Sequence, residues 1–154
     1  MDAPTPPAPP SGTFQGRLHL FPLRVYYEDT DVSGMVYHAN YLRWFERARS
    51  DLLRLLGIEQ RAAYEEGLGN YTVAEVSIRY FAPARLDDAV TIATTALELG
   101  AASVRLRQRA LKGEEVLADA TVRVGFISPE GRPRRQPAEW RTAFESLRSP
   151  KDAA

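Results

Sequence analysis

The order of one long amphipathic segment followed by four strand-like segments constrains the fold of this chain most strongly. In the amphipathic segment, which runs from His38 to Gly57, apolar residues recur every three to four positions, as on one face of a helix. That apolar stripe consists of Tyr41, Trp44, Phe45, Ala48, Leu52, Leu55 and Leu56. Gly57 supplies a C-terminal stop. A helix of about 19 residues is about 28 Å long, at 1.5 Å per residue.

The strand-like segments match this helix in length. Alternating apolar and polar residues, separated by turn residues, indicate strands at 71–81, 89–99, 102–111 and 115–128. An earlier segment, 17–28, predicts a first strand in which Pro22 restricts the first half to an edge or a bend. Strands of about 10 residues span about 33 Å. The sequence therefore predicts an α+β fold, in which a curved antiparallel sheet of about five strands wraps around one long central helix.

The two ends of the chain lack these patterns. Five of the first ten residues are proline, which has no N–H to donate and a fixed φ. We expect a disordered proline-rich tail at 1–16, one folded domain at 17–148 and a frayed C-terminus at 149–154. The tail does not resemble a secretory signal, and no apolar stretch reaches the length that spans a bilayer. The expectation is a cytoplasmic protein without stable membrane insertion.

Composition excludes several classes of site. The 20 Lys and Arg residues balance the 20 Asp and Glu residues, so the basic footprint of a nucleic-acid binder is missing. Cysteine is absent and there are only two histidines, which argues against thiol nucleophiles, disulfides and multi-histidine metal centres. We expect no nucleic-acid partner and no metal site, and chemistry that depends on carboxylates and backbone dipoles.

Residues 26–45 contain the groups that carry such chemistry. A strand delivers Glu28, Asp29 and Asp31 into a glycine-containing loop, which leads into the helix near His38. A helix N-terminus presents unpaired N–H groups and a partial positive charge, which suit an oxyanion or a polarised carbonyl. A nearby carboxylate acts as a nucleophile or as a general base toward water, which suffices to hydrolyse an activated ester or thioester. Taken alone, the same residues are more often ordinary turn chemistry.

The string EDTDVSGMVYHANYLRWFERARSDLLRLLGI resembles the signature of hotdog-fold acyl-CoA thioesterases. It is most similar to the Tol–Pal-associated subgroup, which is related to the 4-hydroxybenzoyl-CoA thioesterases. The matching positions are Tyr27, Asp29, Thr30, Asp31, Gly34, Val36, Tyr37, His38, Asn40, Tyr41 and Phe45 to Arg49. A second similar segment, SIRYFAPARLDD, covers 77–88, and the resemblance extends over residues 20–145. Val32 departs from the family's usual proline or alanine.

This resemblance implies a hotdog fold and the hydrolysis of an acyl-CoA thioester to free acid and CoA. It implies that Asp31 is the catalytic carboxylate and that the backbone N–H at His38 binds the thioester carbonyl. The His38 side chain is then catalytic as well, and Gly34, Val36 and Tyr37 bind substrate. CoA is part of the substrate, so no cofactor is implied. The implied assembly is a homodimer or a homotetramer with sites between subunits.

Two other functions stay open on the sequence alone. A hotdog dehydratase also acts on acyl thioesters, but it uses a differently placed histidine, and the Asp31 motif disfavours it. A non-catalytic interaction or scaffold protein of envelope or lipid metabolism has no use for an intact Asp31 and its loop. The sequence leaves open the preferred acyl chain and the arginines that bind the CoA phosphates.

Overall fold

A computed structural model describes residues 2–149 of the chain. The strands are β1 (Thr13–Gln15), β2 (Leu18–Arg24), β3 (Asn70–Tyr80), β4 (Ala89–Leu99), β5 (Ser103–Lys112) and β6 (Glu115–Ile127). The helices are α1 (Asn40–Leu55), α2 (Gln60–Glu65) and α3 (Ala138–Glu145), with a 3-10 turn at Tyr27–Asp29. The strands form one antiparallel sheet in the order β1-β2-β4-β5-β6-β3. The predicted α+β fold is confirmed, and the described residues contribute six strands rather than five.

Helix α1 buries the face that its periodicity predicts. Trp44, Phe45, Ala48 and Leu52 are at most 1% exposed, and the helix packs on β2 and β4. Burying one large apolar side chain stabilises a fold by about 1.5–3 kcal/mol relative to leaving it exposed. Leu55 belongs to the same predicted stripe but is 40% exposed, because it lies in the last turn of the helix. The helix is therefore central along most of its length and uncovered at its C-terminal end.

The N-terminal segment joins the fold earlier than the sequence predicts. Strand β1 pairs with the start of β2, and just before it Ser11 and Gly12 donate hydrogen bonds to Asp51 of helix α1, at 2.8 and 2.9 Å. We call residues 11–15 the N-terminal arm. The predicted tail boundary at residue 16 is wrong for this arm, because its order depends on a carboxylate from a distant helix. Residues 2–10 are exposed and have no regular secondary structure.

Pro22 lies on the part of β2 that has a neighbour on one side alone. The register of β1 and β2 ends at Leu20, while β2 continues to pair with β4 as far as Arg24. Pro22 has no N–H to donate, and at this position no described strand needs one from it. The predicted edge holds for Pro22 itself but is wrong for His19 and Leu20, which pair with both β1 and β4.

The C-terminal segment is attached to strand β4. Helix α3 contacts β4, the Ala96 N–H donates to the Leu147 carbonyl, and the Ser149 N–H donates to the Ala96 carbonyl, both at 2.9 Å. The predicted frayed segment 149–154 is wrong for Ser149, which these bonds hold. Residues 150–154 lie outside the described residues.

Strand β3 forms one edge of the sheet. Among the described residues it pairs with β6 alone. Val73, Val76 and Tyr80 are 47%, 39% and 46% exposed. An edge strand offers unpaired N–H and C=O groups to a further strand, so the sheet can be extended at β3. The last residue of β3, Tyr80, also reaches the start of helix α1.

Candidate active site

Asp29 fastens the loop between β2 and α1 to the start of the helix. Its carboxylate is buried, and it accepts hydrogen bonds from the Asn40 side-chain amide at 2.9 Å and from the Tyr26 N–H at 2.8 Å. The Asp29 carbonyl accepts a third bond, from the Tyr37 N–H, at 2.9 Å. A buried carboxylate needs such donors because desolvation penalises its charge. Asp29 and Asn40 are therefore structural, and they fix the two ends of the loop.

Asp31 lies at the exposed side of this loop. Its N–H donates to the Met35 carbonyl and its own carbonyl accepts from the Gly34 N–H, both at 3.0 Å. Gly34 has a φ of 81°, in the left-handed region that a side chain disfavours. A glycine at this position thus allows the chain to turn back tightly after Asp31. The result is a small turn that holds the Asp31 backbone while its side chain stays accessible.

The Asp31 carboxylate is favoured in its ionised form. The Ser33 hydroxyl donates to Oδ1 of Asp31, and the Ser33 N–H donates to the same atom at 2.8 Å. These two bonds lower the pKa of Asp31 below its usual value of 3.8, and the charge of His38 acts weakly in the same direction. Hydrogen bonds to the charged form of an acid favour that form. At neutral pH the loop therefore presents a negative, accessible carboxylate.

The other end of the loop is the N-terminus of helix α1. Ala39 caps the helix and has no side chain that could bond the first N–H groups. The Asn40 N–H donates to the Tyr37 carbonyl at 2.9 Å, which closes a turn through His38 and Ala39. The His38 N–H has no acceptor among the described residues. This terminus thus offers a free donor together with the positive end of the helix dipole.

A shallow cavity of about 200 Å³ lies between these two features, and it is lined by Glu28, Thr30, Asp31, Tyr37, Ala39, Asn40 and Arg43. The structure therefore brings together two of the predicted site residues, Asp31 and Tyr37. Gly34 lies outside this cavity, at the exposed tip of the turn. Val36 is 8% exposed and donates to the Ala84 carbonyl at 2.9 Å, so its side chain belongs to the core. The His38 side chain is exposed beside the cavity.

Tyr80 lies near this site, although the sequence predicts only that it belongs to a strand. Its hydroxyl donates to the His38 carbonyl at 2.7 Å. Its ring lies edge-on to the rings of His38 and Tyr41, with centroids 6.4 and 5.4 Å away. No local pattern marks Tyr80, because the contact joins residues 42 positions apart.

Within residues 2–149, no three His, Asp or Glu side chains are grouped so that they could hold a metal ion. None of the helices in that range is long and apolar enough to cross a membrane.

Comparison with known proteins identifies the family of this chain. The sequence profile of the thioesterase-like superfamily matches residues 25–147. The chain belongs to this superfamily. The match covers the Asp31 loop, the three helices and strands β3 to β6.

Individual relatives agree with this assignment. The acyl-CoA thioesterase YbgC of Haemophilus influenzae is 40% identical over 129 residues, which are 83% of this chain and 95% of that protein. The structure of a probable thioesterase from Bartonella henselae is 40% identical, with a TM-score of 0.74, and the match covers 78% of this chain and 99% of that one. A 1,4-dihydroxy-2-naphthoyl-CoA thioesterase from Synechocystis is 25% identical, with a TM-score of 0.78, over 86% of this chain and 99% of that one.

These findings confirm the prediction of a hotdog-fold thioester hydrolase. The finer assignment to the Tol–Pal-associated subgroup stays a prediction. The predicted site roles also stay predictions, for Asp31, His38, Gly34, Val36 and Tyr37. The structure gives the position and the contacts of each of these residues.

Proposed function

We propose that this thioesterase hydrolyses acyl-CoA to free acid and CoA, with Asp31 as the catalytic carboxylate and the His38 N–H as the donor to the thioester carbonyl. One observation carries the proposal: two groups lie at the two ends of one loop. They are the ionised, accessible carboxylate of Asp31 and the N–H of His38 at a helix N-terminus, which has no acceptor within residues 2–149. The similarity to the YbgC acyl-CoA thioesterase supports acyl-CoA as the substrate class.

The helix terminus supplies the electrostatic part of the proposed reaction. Negative charge develops on the carbonyl oxygen as the carbonyl carbon becomes tetrahedral. An N–H donor and the helix dipole stabilise that charge more than they stabilise the neutral substrate. Loss of one such donor typically lowers kcat by about 100- to 1,000-fold. The absence of a capping side chain at Ala39 leaves this terminus available to substrate.

Asp31 acts by one of two routes. In direct attack, a carboxylate oxygen bonds to the carbonyl carbon and the C–S bond breaks, which gives a mixed anhydride and CoA thiolate; water then hydrolyses the anhydride. In the general-base route, Asp31 takes a proton from water while the water oxygen bonds to the carbonyl carbon. The tetrahedral intermediate then collapses, the C–S bond breaks, and the proton passes from Asp31 to the leaving thiolate. Hydroxylamine added during turnover converts Asp31 to a hydroxamate only in the first route, which mass spectrometry detects.

The side chains around Asp31 complete the proposed site. The exposed His38 imidazole orients water or the carboxylate beside the reacting bond. Tyr37 forms part of the cavity wall, and Gly34 allows the close backbone turn that presents Asp31. Val36 contributes from the core by fixing the loop backbone through Ala84.

A second copy of the chain completes the site in this proposal, as a homodimer or a homotetramer. The exposed edge of strand β3 supports this assembly, because it offers a place where two sheets can join. Apolar side chains near the site support it too, since Val32, Phe81 and Leu86 are 106%, 61% and 47% exposed. The cytoplasm stays the predicted compartment.

The proposal is tested by thiol release from a panel of aliphatic and aromatic acyl-CoAs. We expect Asp31→Asn to lose at least about 100-fold in kcat, because the amide is neither nucleophile nor base. Asp87→Asn is the matched control: Asp87 is also exposed, and asparagine tolerates its φ of 72°. Full activity of Asp31→Asn would overturn the mechanism. A wild-type protein without activity on any CoA or carrier-protein thioester would favour the scaffold function.

A further inference from the structure

Three hydrogen bonds hold the turn that carries His38, and each acts on a different peptide group. The Tyr37 N–H donates to the Asp29 carbonyl, and the Tyr37 carbonyl accepts from the Asn40 N–H, both at 2.9 Å. The third peptide group joins His38 to Ala39, and its carbonyl accepts the Tyr80 hydroxyl at 2.7 Å. The first two bonds come from the loop and the helix, but the third comes from the end of strand β3.

These bonds determine where the His38 N–H points. The carbonyl of the peptide between Tyr37 and His38 is directed at the helix, where it meets the Asn40 N–H. A trans peptide holds its N–H opposite to its C=O, so the His38 N–H is directed out of the helix terminus. The Tyr80 bond restrains the next peptide plane, and thereby fixes the backbone of His38 from its other side.

The phenol of Tyr80 is suited to this task. Its ring packs edge-on against Tyr41 and His38 in the first turn of helix α1, which holds the hydroxyl in place. Partial desolvation raises the pKa of Tyr80 above its usual value of 10, so at neutral pH the hydroxyl keeps the proton that it donates. No other described side chain bonds the His38 carbonyl.

We propose that Tyr80 is a positioning residue for thioester hydrolysis: its hydrogen bond to the His38 carbonyl orients the turn that presents the His38 N–H to the substrate. This inference rests on the proposed function, since it assumes that the N–H binds the thioester carbonyl. Because Tyr80 is the last residue of the edge strand β3, it also links the orientation of this donor to the edge at which the sheet can be extended.

The test compares Tyr80→Phe with Tyr71→Phe. Both changes remove one hydroxyl from strand β3, and Tyr71 also donates a hydrogen bond, to Gln136 at 2.6 Å. We expect Tyr80→Phe to lower kcat by about 3- to 10-fold with KM nearly unchanged, as loss of one neutral hydrogen bond in the transition state would do. We expect Tyr71→Phe to leave kcat unchanged even where it lowers the Tm.

A second readout does not depend on activity. The Ala39 amide nitrogen shares a peptide group with the His38 carbonyl, so its NMR chemical shift reports the Tyr80 bond. We expect this resonance to move in Tyr80→Phe and to stay in place in Tyr71→Phe. An unchanged Ala39 resonance overturns the positioning role, as does a raised KM with an unchanged kcat. Full activity of Asp31→Asn would instead overturn the proposed mechanism, and a wild-type protein inactive on every thioester would overturn the proposed function. In either case the NMR comparison would still decide whether Tyr80 holds the turn.

Discussion

The Nε2 atom of His19 lies 2.7 Å from Oδ2 of Asp51, and both side chains are buried where strand β2 meets helix α1. The same carboxylate accepts hydrogen bonds from Ser11 and Gly12. One acid thus joins the N-terminal arm, a strand and the central helix. The Nδ1 atom of His19 is buried without a partner among the described residues. A proton on Nδ1 would have no acceptor, so a neutral imidazole that donates from Nε2 fits this site.

This pair predicts a loss of stability on mild acidification. Burial lowers the pKa of His19 below its usual 6.5, and this outweighs the opposite influence of Asp51. The unfolded chain therefore binds a proton near pH 6.5, while the folded chain binds it only at lower pH. The free energy of unfolding should be level above about pH 7 and fall as pH drops below 6.5, by at most about 1.4 kcal/mol per pH unit.

Urea unfolding between pH 7.5 and 5 measures this slope, and His19→Gln should remove it. Equal slopes in the two proteins would refute the assignment of this pH dependence to His19.

A separate loss of stability is expected in stronger acid. Burial opposes ionisation of Asp51, but hydrogen bonds from His19, Ser11 and Gly12 lower its pKa below 3.8 overall. The stability that the carboxylate contributes is present above that usual value and is lost as pH falls through the lowered one.

Gly34→Ala should reduce both stability and activity. The φ of 81° at Gly34 costs a residue with a Cβ about 1–2 kcal/mol, and relief of that strain would move Asp31. Gly113→Ala is the control, because Gly113 has a φ of 61° in the turn between β5 and β6, away from the site. Thermal melts and thiol release on both variants should show similar losses in Tm but a loss of kcat in Gly34→Ala alone. Equal activities would mean that the Asp31 turn tolerates the change.

Asn40→Ala should weaken the anchor of the catalytic loop. It removes the 2.9 Å bond to the buried Asp29 carboxylate, and loss of one partner of a buried charged group costs about 1–3 kcal/mol. Asn70→Ala, which removes a 3.2 Å bond to the Tyr71 carbonyl, serves as the comparison. We expect denaturant unfolding to show the larger loss for Asn40→Ala, with faster amide exchange at Tyr37. Unchanged exchange at Tyr37 would argue that the other two bonds of Asp29 suffice.

Val76→Lys should disrupt the assembly proposed through strand β3. Val76 is 39% exposed on that edge, and a lysine on an edge strand opposes the approach of a second copy. Leu55→Lys places the same charge at a side chain that is 40% exposed on helix α1. Light scattering should detect a smaller particle for Val76→Lys alone. An unchanged mass for Val76→Lys would place the interface elsewhere.

The parts of this fold that depend on neighbouring residues could be predicted from the sequence, whereas the long-range contacts could not. The stripe of helix α1 follows from local periodicity, and the turn at Gly34 follows from local residue types. The order of the N-terminal arm could not be predicted, because Gly12 meets Asp51 across 39 positions. The role of Tyr80 could not be predicted either, because its contact with His38 joins residues 42 positions apart. The local pattern around Asp31 indicates a turn, which is what Ser33 and Gly34 form, and only the resemblance of the longer segment points to catalysis.

Gly12 sets the place from which the proline-rich segment leaves the protein. A Cβ at this position would overlap the Leu20 carbonyl oxygen and crowd the His19–Asp51 pair, so the backbone is closely packed there. Residues 2–10 start from that point, and in the extended polyproline conformation they reach about 28 Å, at 3.1 Å per residue. A fluorophore or fusion partner attached near Thr5 would therefore sample a bounded shell around the Asp51 side of helix α1, which makes this segment a tether of known origin and limited reach.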